Sequence, residues 1–266
     1  MTISDLTFPK FIAYLFMQWI QWPEWTTGNL ILYISFLLIT PLLGLSEFKG
    51  WSTLKYSKFR SERGMSSRTG MFVLYFIPVL MHVLAYSLNE YRWSIPQICL
   101  SAGILFHFSK RSAESLFLHK YAGPIDRLTV FQIAFFYSGV SWAAAYFNQF
   151  TPMNTDLIFV LGCVFFMIGI IGNFLHHKYL ADLRKISSAY FIPQKGLFRL
   201  VSCPHYLFEI MIWLGIAMMC KQPFMYLTFI SMTFYLMARS VKAQSWYRNH
   251  FDDYPAERKA MIPYLF

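Results

Sequence analysis

DLIFVLGCVFFMIGIIGNFLHHK, residues 156–178, decides the fold. From Leu157 to Gly172 it carries no charge and no amide, and with its flanks it exceeds the roughly 18 residues that cross a bilayer core as a helix. Six more apolar segments of that kind lie near 27–45, 69–88, 94–116, 128–148, 203–220 and 222–241. The stretch from Phe8 to Trp25 is shorter and is broken by Pro23; its Trp19, Trp22 and Trp25 fit a segment lying at headgroup level. The expected fold is therefore an all-α integral membrane protein of seven transmembrane helices. An interfacial segment, 1–26, precedes a single membrane domain, 27–266. Composition agrees: the 266 residues are 56% hydrophobic, 20% aromatic and only 14% charged, against about 25% charged in a soluble domain. Mean hydropathy is +0.41.

The loops set the expected orientation. Twenty of the 23 Lys and Arg residues fall in the 45–68, 110–127 and 178–199 regions and the tail, while Lys10, Arg92 and Lys221 alternate to the other side. The positive-inside rule places the tail in the cytosol and the N-terminus in the lumen. The net charge of +10 is thus dispersed between apolar runs and does not form a nucleic-acid-binding stripe. MTISDLTFPK lacks a charged n-region before a cleavable apolar core, so no removed signal peptide is expected. Cys99, Cys163, Cys203 and Cys220 show neither CxxC nor paired ligand spacing.

Ionisable groups inside spans cost about 2.5–3.5 kcal/mol each on insertion scales and usually line a cavity. Asn173, His177 and Arg184 follow at intervals of four and seven and share one helical face. They fit a phosphorylated ligand, or a helix end snorkelling to headgroups. His205, Tyr206 and Glu209 open the sixth span, with Glu209 a turn inside it, where a ligand contact accounts for it better than a helix-dipole carboxylate. His107, Lys110, Arg111 and Glu114 close the third span. An intrahelical ion pair explains Glu114 but not two adjacent cations in an apolar helix. Tyr75, near Pro78 in the second span, reads on its own as packing or an interfacial anchor. Gly169-Ile170-Ile171-Gly172 reads as close helix packing. No soluble dinucleotide fold, P-loop or Ser/His/Asp set is present, and seven scattered histidines do not make a membrane di-iron site, so no metal is expected.

Several stretches in combination resemble the steroid 5α-reductase family, which includes the trans-2-enoyl-CoA reductases. They are GNFLHHKYLADLRK (172–185), YFIPQKGLFRLVSCPHYLFEIMIW (190–213) and WYRNHFDDYPAERKAMIPYLF (246–266). HFSKRSAESLFLHKYAG (107–123) is similar to the enoyl-CoA reductase branch, and SSRTGM (66–71) to a plant-type steroid-reductase-like set. The resemblance implies a monomeric seven-helix enzyme of the endoplasmic reticulum. It would use NADPH to reduce a C=C bond conjugated to a carbonyl in a lipophilic substrate: a 3-oxo-Δ4 steroid, a trans-2-enoyl-CoA or a polyprenol-type molecule. Family cofactor contacts carry over to Arg111, Asn173, Arg184, Tyr190, Glu209, Arg239 and Tyr247. His177 stands where the steroid enzymes have an acid, and His205 where they have Asn. At the substrate end the steroid enzymes' Gln-Glu pair is replaced around Leu74-Tyr75, and their tyrosine three residues before Arg111 is Phe108. Tyr75-Phe76-Ile77-Pro78 keeps the Tyr and Pro of the enoyl reductase pattern without its Glu. Tyr75 is therefore the expected acid, since a phenol can donate to a developing enolate, with Glu114 or His107 as substitutes. Two other classes stay open. Gly196-Leu197-Phe198-Arg199 through Tyr206 partly fits an isoprenylcysteine-type methyltransferase using S-adenosylmethionine, and a non-enzymatic lipid-binding scaffold would need no buried ionisable cluster.

Overall fold

The computed structural model describes residues 19–51, 54–60, 62–88, 93–186 and 189–266. Lys10, Arg92 and the first 18 residues of the expected interfacial segment lie outside that set. Among the described residues the chain forms seven α-helices: α1 (Thr27–Lys49), α2 (Ser67–Ser87), α3 (Ile95–Ala113), α4 (Arg127–Asn148), α5 (Leu157–Ile186), α6 (Pro204–Cys220) and α7 (Pro223–His250). Each coincides with one expected span. Five of them, α1, α2, α4, α5 and α7, are long and apolar enough to cross a membrane. The other two fall short for different reasons. α3 ends in Lys110 and Arg111. α6 is apolar but has only 17 residues, about 25 Å of helix against a core of about 30 Å.

Local chemistry sets the helix ends. Thr26 caps α1 through Asn29 N–H, Ser94 and Gln97 form a reciprocal capping box on α3, and Asp126 Oδ2 accepts from Thr129 N–H at 2.9 Å to start α4. Gly50 closes α1 at φ +75°, a left-handed turn that suits glycine. α5 runs well past its apolar stretch, to Ile186, and so carries the Asn173 to Arg184 face as one continuous helix.

α5 packs along α6, α2 along α4 and α1 along α7; α6 also meets α7, and α3 sits against α2 and α6. The α5–α6 crossing is close because glycines face it. A Cβ on Gly162 would lie 2.9 Å from Gly215 O, and one on Gly169 would lie 2.7 Å from Ile212 N and 2.8 Å from Phe208 O. This is the close packing read from the Gly169 to Gly172 stretch. At the end of the bundle away from the charged residues, α2, α3 and α4 are joined by His82. Its Nδ1 meets Ser141 O at 2.9 Å and its Nε2 meets Ser101 Oγ at 3.2 Å.

Because the backbone atoms Ile212 N and Phe208 O, as well as the Ile212 side chain, occupy the space beside Gly169, Gly169→Ala forces the two helices apart. The expected cost is roughly 1–3 kcal/mol, the usual range for overpacking, read as a lower Tm in detergent. An unchanged Tm would show that the crossing tolerates separation.

Candidate active site

The charged residues gather at one end of the bundle, where α3 leaves α geometry. Glu114–Leu118 forms a single π turn, closed by His119 N–H on Glu114 C=O at 2.9 Å. Such turns recur at functional sites because they re-aim side chains within a helix. Here Glu114 is buried against α5, and His119 joins the wall of a cavity of about 260 Å³.

Arg111 organises the deep end of that cavity. Its Nη2 donates to the Tyr75 phenol oxygen at 2.8 Å, and its Nη1 pairs with the Glu114 carboxylate. His177 Nδ1 lies 2.6 Å from Arg111 Nη1 and 3.0 Å from Glu114 Oε2, so it accepts from one or donates to the other according to tautomer. Lys110 Nζ reaches Glu114 Oε1 at 2.9 Å and donates to Asn173 Oδ1 at 2.6 Å. Asn173 Nδ2 donates in turn to Glu209 Oε2 at 3.0 Å and His205 O at 3.1 Å. His107 Nε2 stands 3.3 Å from Glu209 Oε1. Two carboxylates, a guanidinium and an ammonium thus form one network across α3, α5 and α6, consistent with the need to pair buried charge.

The mouth carries cations on aromatic faces. The Arg184 guanidinium sits 3.7 Å above the Tyr190 ring and Lys58 Nζ sits 3.7 Å above the Tyr247 ring. Burial, reinforced by the nearby Arg184 and Arg239 guanidiniums, pulls the Lys58 ammonium down to about 8. Burial together with the Arg111 charge pulls His119 down to about 4, so its ring is neutral at pH 7.

Of the residues singled out from the sequence, Tyr75, Arg111, Asn173, His177, Arg184, Tyr190, His205, Glu209 and Tyr247 all line this cavity. The other three stand outside its lining. Glu114 and His107 are buried behind Arg111 and Glu209 as their partners. Arg239, 1% exposed, pairs at 2.9 Å with Glu47, also 1% exposed, donates to Tyr56 O at 3.2 Å and packs over the Tyr56 and Phe59 rings. It therefore pins the Ser57–Phe59 turn that carries Lys58. Lys58, Arg60, His119, Lys120 and Tyr137 also line the cavity. Of these only the loop cations were legible, and they read as orienting charge. Glu47, a lone acid at the end of an apolar span, was a visible signal for a buried partner. The side-chain ligand atoms of Glu114, His119 and His177 lie within 4.8 Å of one another. Arg111 already touches two of the three, so its guanidinium holds the cation position of that cluster.

Residues 126–266 match the family described as 3-oxo-5-alpha-steroid 4-dehydrogenase. Among curated relatives, the chain is 36% identical over 135 residues to a steroid 5-alpha-reductase of Gossypium hirsutum, covering 49% of this chain and 52% of that protein. It is 29% identical over 208 residues to the very-long-chain enoyl-CoA reductase of Dictyostelium discoideum, covering 73% and 64%. It is 32% identical over 183 residues to 3-oxo-5-alpha-steroid 4-dehydrogenase 1 of Bos taurus, covering 65% and 69%. The first two matches thus span less than two thirds of the relatives' own length. The matched region, 126–266, holds α4 to α7 and the tail, with Asn173, His177, Arg184, Tyr190, Glu209 and Tyr247. The chain belongs to the 3-oxo-5-alpha-steroid 4-dehydrogenase family.

Proposed function

We propose that the protein is a membrane oxidoreductase that reduces a C=C bond conjugated to a carbonyl in a lipophilic substrate, with NADPH as donor. The observation that carries this reading is the Arg111–Tyr75 pair at the floor of a cavity whose mouth is cationic. Tyr75 accepts from Arg111, so its own O–H points away from the guanidinium. Adding a hydride to the β-carbon drives an electron pair onto the carbonyl oxygen, and a phenol held beside a fixed cation can donate to that oxygen as charge develops. Glu114 and His177 hold Arg111 in place, so the donor is oriented before substrate arrives.

The residues present fit a dinucleotide phosphate. Lys58, Arg60, Lys120 and Arg184 all stand on the cavity wall, matching a diphosphate and a further phosphate. Deeper in, His205 Nδ1 is buried with no hydrogen-bond partner among the described residues, and its ring lines the cavity, a polar position suited to a carboxamide. NADPH, when bound, supplies the hydride. Met71, Met232 and Leu236 give the remaining wall an apolar character suited to a greasy enone entering from the bilayer.

All seven helices cross the endoplasmic reticulum membrane in this reading, α3 and α6 included, with the site and tail in the cytosol. Residues 27–266 act as one monomeric domain behind an interfacial 1–26 segment. Supporting that placement, Gln21 N–H donates to Lys221 O at 2.7 Å and Tyr226 Oη donates to Trp19 O at 2.9 Å.

Three outcomes test the proposal. Purified protein with NADPH should reduce cholest-4-en-3-one, trans-2-hexadecenoyl-CoA or a polyprenal, followed as loss of the double bond; turnover of none, or affinity for S-adenosylmethionine instead of NADPH, overturns it. Tyr75→Phe should cut turnover by about 10²-fold or more, as loss of a transition-state donor does, with NADPH affinity intact; full turnover removes Tyr75 from the mechanism. Because Lys58 is charged below about pH 8 and neutral above it, NADPH affinity should fall as pH rises from 7 to 9.5, and Lys58→Arg should flatten that curve. A flat wild-type curve would show that Lys58 does not meet a phosphate.

A further inference from the structure

Seven further phenols share the cavity wall with Tyr75, and one of them stands apart. Tyr56 Oη and Tyr235 Oη are hydrogen bonded to each other at 3.2 Å, and Tyr121 Oη donates to Ser115 O at 3.2 Å. Tyr206 lies within hydrogen-bonding reach of Arg239, while Tyr190 and Tyr247 carry Arg184 and Lys58 on their ring faces. Tyr137, from the middle of α4, has no hydrogen bond to any described residue, although its ring packs into the core and lines the cavity. That ring is stacked on Tyr75 at 5.9 Å with only 22° between planes, and Phe108 meets it edge-on at 5.4 Å. Tyr137 thus brings to the cavity wall, beside the Tyr75 ring, a hydroxyl with no protein partner among the described residues, which a ligand oxygen can satisfy.

We infer that Tyr137 is a second catalytic hydrogen-bond donor, which together with Tyr75 holds the substrate carbonyl oxygen. A carbonyl oxygen has two lone pairs and accepts two donors. When the β-carbon takes a hydride, the C=C electron pair moves to form the enolate and the carbonyl π pair comes to rest on oxygen. Two aligned O–H groups stabilise that oxygen more than they stabilise the ground-state carbonyl. The α-carbon then takes a proton from water as the carbonyl re-forms. Phe108 beside Tyr137 is apolar, so α4 supplies the donor that α3 does not. The inference rests on the reduction reading and adds to it a residue from a helix to which that reading assigns none.

The test uses the full chain in detergent with NADPH and whichever of cholest-4-en-3-one, trans-2-hexadecenoyl-CoA or the polyprenal it reduces. Tyr137→Phe keeps the stacked ring and removes the hydroxyl. Single-turnover reduction should slow 10- to 100-fold, with NADPH affinity and Tm unchanged; an unaltered rate overturns the role of Tyr137 while leaving the reduction reading standing. Should the variant fail to fold, 3,5-difluorotyrosine placed at 137 keeps the shape and makes the phenol more acidic. The alkaline limb of the kcat profile should then move to lower pH, which a merely packed ring would not do, and an unmoved limb overturns the proposal. If the wild type reduces none of the three, the reduction reading fails and this inference fails with it.

Discussion

A guanidinium has been taken out of water at the foot of α3, and much of the surrounding architecture serves to keep it there. Arg111 cannot shed its charge, since a guanidinium stays protonated at any physiological pH, so its desolvation has to be met by partners. Tyr75 comes from α2, Glu114 from the π turn and His177 from α5. Three elements far apart in sequence are thereby held to one point. Breaking a buried pair by removing one partner costs about 3–5 kcal/mol, because the other charge is left uncompensated. The same pairing gives the site its chemistry: a phenol whose oxygen is already engaged by a fixed cation has its proton directed elsewhere.

The second constraint is the glycine-lined crossing of α5 and α6. With Gly162 and Gly215 face to face and Gly169 against Ile212, the two backbones approach closely enough for Asn173 to reach both the carbonyl of His205 and the carboxylate of Glu209. A wider crossing would leave those buried groups unpaired. Packing in the membrane-facing half and hydrogen bonding at the charged end are therefore one structural decision. A side chain added at Gly162 or Gly169, outside the charged network, would widen the crossing on which that network depends.

The seven helices were legible in the sequence because apolar run length is a local property that survives any arrangement of neighbours. The Asn173, His177 and Arg184 face was legible for the same reason, since α5 continues unbroken through all three. What periodicity alone does not reveal is pairing between elements. Arg239 and Glu47 are 192 residues apart, and although Glu47 stands out as a lone acid at the end of an apolar span, nothing local names Arg239 as its partner. Lys58 sits in a loop full of cations, and only the fold shows that it alone lies on the Tyr247 ring. Tyr137 gave no signal at all: a tyrosine among aromatics in an apolar span looks like packing until its neighbours are known. The π turn at Glu114 is invisible too, because its residues also suit an α-helix.

These pairings change the meaning of the charge excess. Lys110 and Arg111 are paired internally with Glu114, and Arg239 with Glu47, so less of their charge is felt outside the protein. The mouth itself is lined by Lys58, Arg60, Lys120 and Arg184. Exposed charges are screened within about 8 Å at physiological salt, so the cations of distant loops add little to the potential there. In the proposed dinucleotide site, Lys58 and Arg184 are the two mouth cations that rest on rings at fixed distance. Cations resting on Tyr190 and Tyr247 lose less conformational freedom when a phosphate arrives than solvated lysines would. On the proposed reading, the aromatic residues that add to the apolar character of the chain also pre-organise its mouth for an anion.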